Sequence, residues 1–283
     1  MQGEKNRVNP STLYLVGTPI GNLADISERA LKVLSEVDFI AAEDTRNSMK
    51  LLNCYGIKKE LVSYFEHNKR QSGERIIARL LGGESCALIT DAGMPAVSDP
   101  GEDIVRLCAE AGVSVTVVPG ACAAISALAL SALPTGKFVF EGFLPAAATA
   151  RKKQLLALTE EKRTLIFYEA PHKLKATLSD MAELFGTERR ISLCRELTKL
   201  NEQVQRTTLG DAVEYYSVTE PRGEYVLIVE GRSGEAQSEL CELSPKEHTA
   251  HYEALGMGKM DAIKAAAKDR GISKSEMYKL VIE

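Results

Sequence analysis

Cys86–Val118 reads CALITDAGMPAVSDPGEDIVRLCAEAGVSVTVV, and the order of its elements decides the architecture. Cys86–Thr90 (CALIT) is apolar without alternation, the pattern of a strand buried on both faces of a parallel sheet. Glu102–Ala111 then reads as an amphipathic helix ended by Gly112, and Val113–Val118 as the next strand. Pro119-Gly120 leads into an apolar helix over Ala121–Ala132. Strands separated by helices imply parallel neighbours joined by right-handed crossovers.

The same alternation extends upstream. Thr12–Val16 is a β-rich run that stops at Gly17, and Ser27 caps a helix reaching Val37 with Ala30, Leu31 and Leu34 on one face. Asp38–Ala42 is a second strand, Thr45 opens a helix, Gly56 ends that unit, and a helix around Glu74–Leu81 stops at Gly82-Gly83. Downstream, Leu133-Pro134-Thr135-Gly136 marks a boundary. A second α/β pattern follows: strand Phe138–Phe143, helix Thr149–Leu158, strand Arg163–Tyr168, and a helix from Pro171 to Phe185. Ile191–Arg195, Gln203–Leu209 and Tyr225–Glu230 complete a sheet whose later strands can be antiparallel. Gly231–Gln237 is a polar linker. Ser244–Glu283 reads as three short helices, with Lys259–Asp269 and Ser273–Ile282 at helix–turn–helix spacing. The expected organisation is an α/β domain over 11–132, a second over 136–232, and a helical appendage over 244–283.

Composition narrows the function. A chain of 283 residues suits two domains, and a net charge of −4 with a pI near 5.8 carries no global basic signature. Any nucleic-acid site is therefore a local patch. The six cysteines are scattered without a CxxC pair and the histidines number four, so no metal site is expected. The first residues, MQGEKNRVNP, are polar, and no apolar run approaches the roughly 18 residues that cross a bilayer. The expectation is a cytoplasmic, reduced, metal-free protein.

Ligands of open α/β sheets bind beyond the carboxyl ends of the strands. Four segments occupy such ends: Gly17–Asn22 (GTPIGN), Glu43–Arg46 (EDTR), Asp91–Pro100 (DAGMPAVSDP) and Pro119–Ala123 (PGACA). Taken singly, each reads more readily as a plain turn than as a ligand loop. GTPIGN is not GxGxxG and no GxxxxGK occurs, which excludes the dinucleotide fingerprint and the P-loop. What remains is a cofactor gripped by several loops, with backbone amides and the small side chains of PGACA lining an adenosine slot.

Six segments carry a resemblance: Leu13–Arg46, Ile89–Gly101, Val117–Leu128, Phe140–Pro145 (FEGFLP), Thr164–Leu174 (TLIFYEAPHKL) and Cys194–Lys199 (CRELTK). In this order they resemble the ribosomal RNA small subunit methyltransferase I family of the tetrapyrrole-methylase superfamily. The resemblance runs from Leu13 to Gly231 and on into the helical tail. It implies two α/β domains of the tetrapyrrole-methylase type rather than the Rossmann type, S-adenosyl-L-methionine between them, and a homodimer. It also implies 2′-O-methylation of a decoding-centre cytidine in 16S rRNA, with the rRNA or the small ribosomal subunit as partner. Carried over by position, the cofactor residues are Gly17, Pro19, Ile20, Asp91, Ala92, Gly93, Met94, Pro119, Gly120, Ala121, Cys122, Ala123 and Tyr168, with Leu197 and Tyr225 as further members. Many relatives read DAGTP where this chain has Met94, so a side-chain hydroxyl contact is lost there while a backbone contact would survive.

Displacement at a sulfonium methyl leaves alignment and proton removal to the protein. Candidates for catalysis are His67, Glu43 and Asp44, with Arg46 holding a phosphate or orienting a carboxylate. The plainer readings are that Asp44 caps a helix with Arg46 paired to it, and that His67 is a surface residue; His172, in a helix first turn, is a candidate RNA contact with a surface position as its plainer reading. Lys69-Arg70, Arg151-Lys152-Lys153 and Lys162-Arg163 are candidate phosphate contacts or solvated faces, as are Lys259, Lys264, Lys268, Lys274 and Lys279 of the tail. Two other functions stay open: a tetrapyrrole C-methyltransferase, and a non-catalytic ribosome-binding protein with a dead cofactor fold.

Overall fold

The computed structural model describes residues 7–232, 240 and 243–282; most of the polar linker and Glu283 lie outside the described residues. Strands β1 (Thr12–Val16), β2 (Phe39–Ala42), β3 (Glu60–Ser63), β4 (Cys86–Ile89) and β5 (Ser114–Val118) form a parallel sheet in the order β3-β2-β4-β1-β5. Side chains alternate across it. Tyr14, Val16, Ile40, Ala42, Ala87 and Ile89 pack under α1 (Glu28–Glu36) and α2 (Thr45–Cys54). Leu13, Phe39, Ala41, Cys86 and Leu88 pack under α3 (Lys69–Leu81) and α4 (Gly101–Ala111). Both faces are covered, which is why these strands read as unbroken apolar runs. The chain leaves β1 towards β2 and leaves its neighbour β4 towards β5. With right-handed crossovers the connecting helices fall on opposite faces, and a crevice opens at the carboxyl ends of β1 and β4.

Strands β6 (Phe138–Phe143), β7 (Thr164–Glu169), β8 (Arg190–Arg195), β9 (Gln203–Thr208) and β10 (Tyr225–Val229) form the second sheet, in the order β6-β7-β10-β8-β9. Only β6 and β7 are parallel; the other pairings are antiparallel. Helices α6 (Ala148–Ala157), α7 (Pro171–Phe185) and α8 (Leu209–Val218) cover one face. The opposite face is covered by α5 (Ala123–Leu130), whose Ala124, Ala127 and Leu128 pack on Ile166, Cys194, Val226 and Ile228. The helix that leaves the first sheet thus seals the second, and it ties the two sheets across the crevice.

Besides the short 3-10 turn Leu23–Asp25, a strand and a helix are absent from the sequence reading. β3 is a four-residue edge strand with little apolar signal. α8 hides behind a β-like run, although Thr208 caps it by accepting from the Asp211 amide at 3.2 Å. α3 begins at Lys69 rather than near Glu74.

The cationic run Arg151-Lys152-Lys153 is partly structural. Arg151 is buried and donates Nε to Asp180 Oδ2 at 2.7 Å and Nη1 to the Ala146 carbonyl at 3.1 Å. Removing one partner of a buried pair costs about 3–5 kcal/mol, because the other charge is stranded. Lys152 stays within 3.6 Å of Asp180, so Arg151→Met should fall at the low end of that range. Urea unfolding measures it, and an unchanged midpoint would contradict the account.

The described part of the tail forms three helices, Pro245–Ala254, Lys259–Asp269 and Lys274–Ile282, with Ile263, Ala266, Ala267 and Met277 as their core. Ser244 and Glu247 form a capping box at the first. His248 is buried and accepts from Arg270 Nε at its Nδ1 (3.0 Å), so its Nε2–H donates to Asp269 (3.3 Å). Burial holds the His248 pKa down despite that carboxylate.

Candidate active site

The crevice continues into a cleft of about 590 Å³ between the two sheets. From the first sheet come Ile20 after β1, Glu43 after β2, Thr90–Met94 and Val97–Asp99 after β4, and Cys122 and Ala123 after β5. From the second come Phe143, Tyr168–His172, Cys194, Glu196, Leu197, Lys199 and Glu224–Val226.

Backbone geometry builds the floor. A methyl group added at Gly17 would lie 2.6 Å from the Gly120 Cα, and one at Gly120 would lie 2.8 Å from the Gly17 Cα. Only two glycines let these loops touch. Thr18 and Gly93 exchange backbone hydrogen bonds (2.9 and 3.2 Å), which pins the first loop to the third. Gly17 and Gly120 therefore support the wall, Pro19, Pro119 and Ala121 stand outside its lining, and Ile20, Asp91–Met94, Cys122 and Ala123 line it. Met94 has its own use: its thioether accepts from the Gly120 amide at 3.3 Å, a contact threonine could not make with the same reach.

Two strained loops meet the opposite domain. Ala96, Ser98, Glu196 and Thr198 all take left-handed φ values of 52–65° without being glycine. Such strain costs on the order of 1 kcal/mol or more per residue and concentrates at functional sites. Asp99 Oδ1 holds the first loop by accepting from the Ala96 (3.0 Å) and Gly101 (2.7 Å) amides. Glu196 holds the second by accepting from the Glu224 amide (3.0 Å) and pairing with Lys199 (2.9 Å). Ser98 abuts Gly142 of β6, and Thr198 and Lys199 abut Gly21.

The catalytic candidates separate. Glu43 opens onto the cleft and accepts from Thr90 Oγ1 at 3.0 Å. Desolvation between the cleft walls raises its pKa above the ordinary 4.5; the Thr90 hydrogen bond opposes this, and the carboxylates of Asp91, Asp99 and Asp44 add to it. Asp44 instead caps α2, accepting from the Arg46 amide at 2.8 Å and pairing with its guanidinium at 3.1 Å. The Arg46 side chain is 87 % exposed, and neither residue lines the cleft. His67 is exposed in the turn before α3, edge-on to Phe65 and outside the cleft lining. His172, read as surface, lines it. Lys69 is paired to Glu66 and Asp103, and Arg163 to Glu161, so one residue of each cluster is compensated, whereas Arg70 stays 96 % exposed.

Tyr168 forms a wall of the slot, packed edge-on against Phe140 at 5.1 Å, and desolvation raises its phenol pKa. Leu197 is buried beside α5. Tyr225 runs along the wall, but its ring lies in the helix-covered core beside Tyr216. The residues missed by the sequence reading, among them Phe143, Glu169 and Lys199, stand inside FEGFLP, TLIFYEAPHKL and CRELTK, where the motif was visible but the facing was not. The donor set suits S-adenosylmethionine. Ile20, Ala123 and Leu197 are apolar enough for a nucleoside, and Asp91 favours a cation; the Ala124 amide in the first turn of α5 is already bonded to the Tyr168 phenol.

Fold and cleft define a methylase of the tetrapyrrole (corrin/porphyrin) class, whose family pattern matches residues 12–213. Two solved structures share the fold: a uroporphyrin-III C-methyltransferase from Thermus thermophilus (TM-score 0.56, 22 % identity, 78 % of this chain and 94 % of that one) and a diphthine synthase (0.61, 15 %, 78 % and 90 %). Within that class the chain belongs to the ribosomal RNA small subunit methyltransferase I family. It is 48 % identical to the member from Halalkalibacterium halodurans over 99 % of this chain and 97 % of that protein. To the Bacillus subtilis member it is 47 % identical, over 94 % and 92 %. The protein is a methyltransferase that takes its methyl group from S-adenosylmethionine. No described helix is long and apolar enough to cross a membrane.

Proposed function

We propose that the chain methylates a ribose 2′-hydroxyl of a decoding-centre cytidine in 16S rRNA. The observation that carries this reading is Glu43, a carboxyl of raised pKa opening onto the cleft. An alkyl hydroxyl needs a proton acceptor when it attacks, whereas an electron-rich tetrapyrrole carbon does not need one before attack. Bound in the slot, S-adenosylmethionine supplies an electrophilic methyl group on a positively charged sulfur. Ile20, Asp91–Met94, Cys122, Ala123, Tyr168 and Leu197 would hold it. Glu43 accepts the hydroxyl proton and Thr90 orients that carboxylate. The names of the relatives support rRNA as the substrate.

The test is mass spectrometry of small-subunit rRNA with and without the gene, followed by alkaline hydrolysis. A 2′-O-methyl blocks cleavage at the next phosphate; a modified base with a free 2′-hydroxyl, or no change in the rRNA, would overturn the reading.

The division into 11–132, 136–232 and 244–283 belongs to the same proposal, with the tail as an accessory RNA contact through Lys259, Lys264, Lys268, Lys274 and Lys279. Truncation after Arg232 should leave S-adenosylmethionine affinity within about twofold and weaken RNA binding, more at low salt than at high salt. Calorimetry and filter binding at two salt concentrations decide it, and equal RNA affinity would reduce the tail to a structural part. A cytoplasmic homodimer completes the proposal. The open edge of β5, where Val117 is exposed, gives a surface for it, and sedimentation reads the state.

A further inference from the structure

β6 carries an irregularity that the cofactor site does not explain. Its register with β7 runs Phe138↔Thr164, Val139↔Leu165 and Phe140↔Ile166, then jumps to Gly142↔Phe167 and Phe143↔Tyr168. Glu141 is the extra residue of a bulge, and Gly142 takes φ +65° beside it. A one-residue shift moves every later side chain to the other face of a sheet. In plain alternation Phe143 would sit opposite Phe140, on the face that α6 and α7 bury. With the bulge it shares the cleft face with Phe140 and Tyr168.

The result is an exposed aromatic ring at a cleft wall. Phe143 keeps 57 % of its surface open. It is braced rather than covered: Tyr168 meets it at 5.4 Å and a 57° tilt, and the Lys173 ammonium lies 5.6 Å from its ring centre. Lys173 is itself fixed by Glu169 at 3.3 Å, and Glu169 is buried and accepts from Thr177 Oγ1 at 2.6 Å. His172 lines the cleft on the same segment. The fold has thus used a bulge and a left-handed glycine to bring an apolar ring out of the core, beside a cation, at the wall of the cleft.

We propose that Phe143 is a stacking platform for the nucleobase of the methylated nucleotide. The inference rests on the ribose-methylation reading above. A ribose hydroxyl reaches a cofactor between two domains only when its nucleotide leaves its neighbours, which strips the base of stacking partners. An open ring replaces that stacking. Among the described residues at this wall, Ala170 and Pro171 are small, His172 is a smaller polar ring, and the Tyr168 ring is spent bracing Phe143 and closing the slot.

The test uses full-length protein and small ribosomal subunits purified from a strain lacking the gene. Phe143→Leu keeps apolar volume and removes the ring; Phe143→Trp keeps a ring. Phe143→Leu should lower kcat/KM for subunits roughly tenfold or more, mainly through KM, while Phe143→Trp stays within about threefold of the wild type. Calorimetric affinity for S-adenosylmethionine should be unchanged in both. A short decoding-centre RNA carrying pyrrolocytidine at the position that mass spectrometry identifies should be quenched on binding by wild type and Phe143→Trp, and not by Phe143→Leu. Equal kinetics and equal quenching with Phe143→Leu would overturn the platform while ribose methylation stands. Loss of cofactor affinity in Phe143→Leu would overturn it too, by assigning the ring to the cofactor. Wild-type protein that leaves the rRNA unmethylated marks the failure of the underlying reading and takes the platform with it.

Discussion

Glu43→Gln should lower kcat by about 10²–10⁴-fold, the contribution of a positioned proton acceptor. The substitution keeps the shape and one acceptor oxygen for Thr90, so S-adenosylmethionine affinity should hold within a few-fold. The pH profile gives an independent reading. Glu43 works as an acceptor only when ionised, and its pKa lies above the ordinary 4.5. The wild-type rate should therefore fall as pH drops through that raised value, and the residual rate of the variant should lose this limb. A full-rate variant would rule out proton removal at Glu43. Asp44→Asn and His67→Ala serve as controls: the first residue caps α2, the second is exposed outside the cleft lining, and neither should change kcat by more than a few-fold.

Gly120→Ala should abolish useful cofactor binding through a single methyl group. That methyl would sit 2.8 Å from the Gly17 Cα and 2.9 Å from the Gly17 carbonyl oxygen. Backbone faces backbone, so no rotamer relieves the clash and one loop must move away. Overpacking of this kind costs about 1–3 kcal/mol of stability. The functional loss should be larger. The displaced loops carry Ile20 on one side and Cys122 and Ala123 on the other, and a misplacement of ~1 Å costs on the order of 10²-fold in rate. Thermal unfolding and calorimetry separate the two effects. Binding at wild-type affinity would show that the Gly17–Gly120 contact does not position the slot.

Much of the fold is legible in the chain because burial leaves a local trace. CALI and YVLIV are apolar without alternation since both faces of their strands are covered, and Ser27, Gly112 and Pro171 mark helix ends by local hydrogen bonding or φ. The loops after β1, β4 and β5 read as a candidate site because turn residues gather at the carboxyl ends of apolar strands, and residues of all three line the cleft. β3 and α8 left weak traces: one is a short edge strand, and the other begins where a β-like run ends.

The tertiary structure alone decided which polar residues face the cleft. EDTR presents three ionisable side chains in four positions, yet only Glu43 opens onto the cleft, because Asp44 and Arg46 are spent on the first turn of α2. His67 reads as a candidate base and His172 as a surface residue; the first turn of α7 brings His172 to the cleft wall, and the turn before α3 leaves His67 outside. Phe143 is the sharpest case. Alternation along FVFEGF assigns it to the buried face, and a one-residue bulge against β7 reverses that assignment. A chain records its own periodicity and its own turns. Register with another strand, and the facing of a loop across two sheets, exist only once distant segments have paired, and those pairings set the chemistry of this cleft.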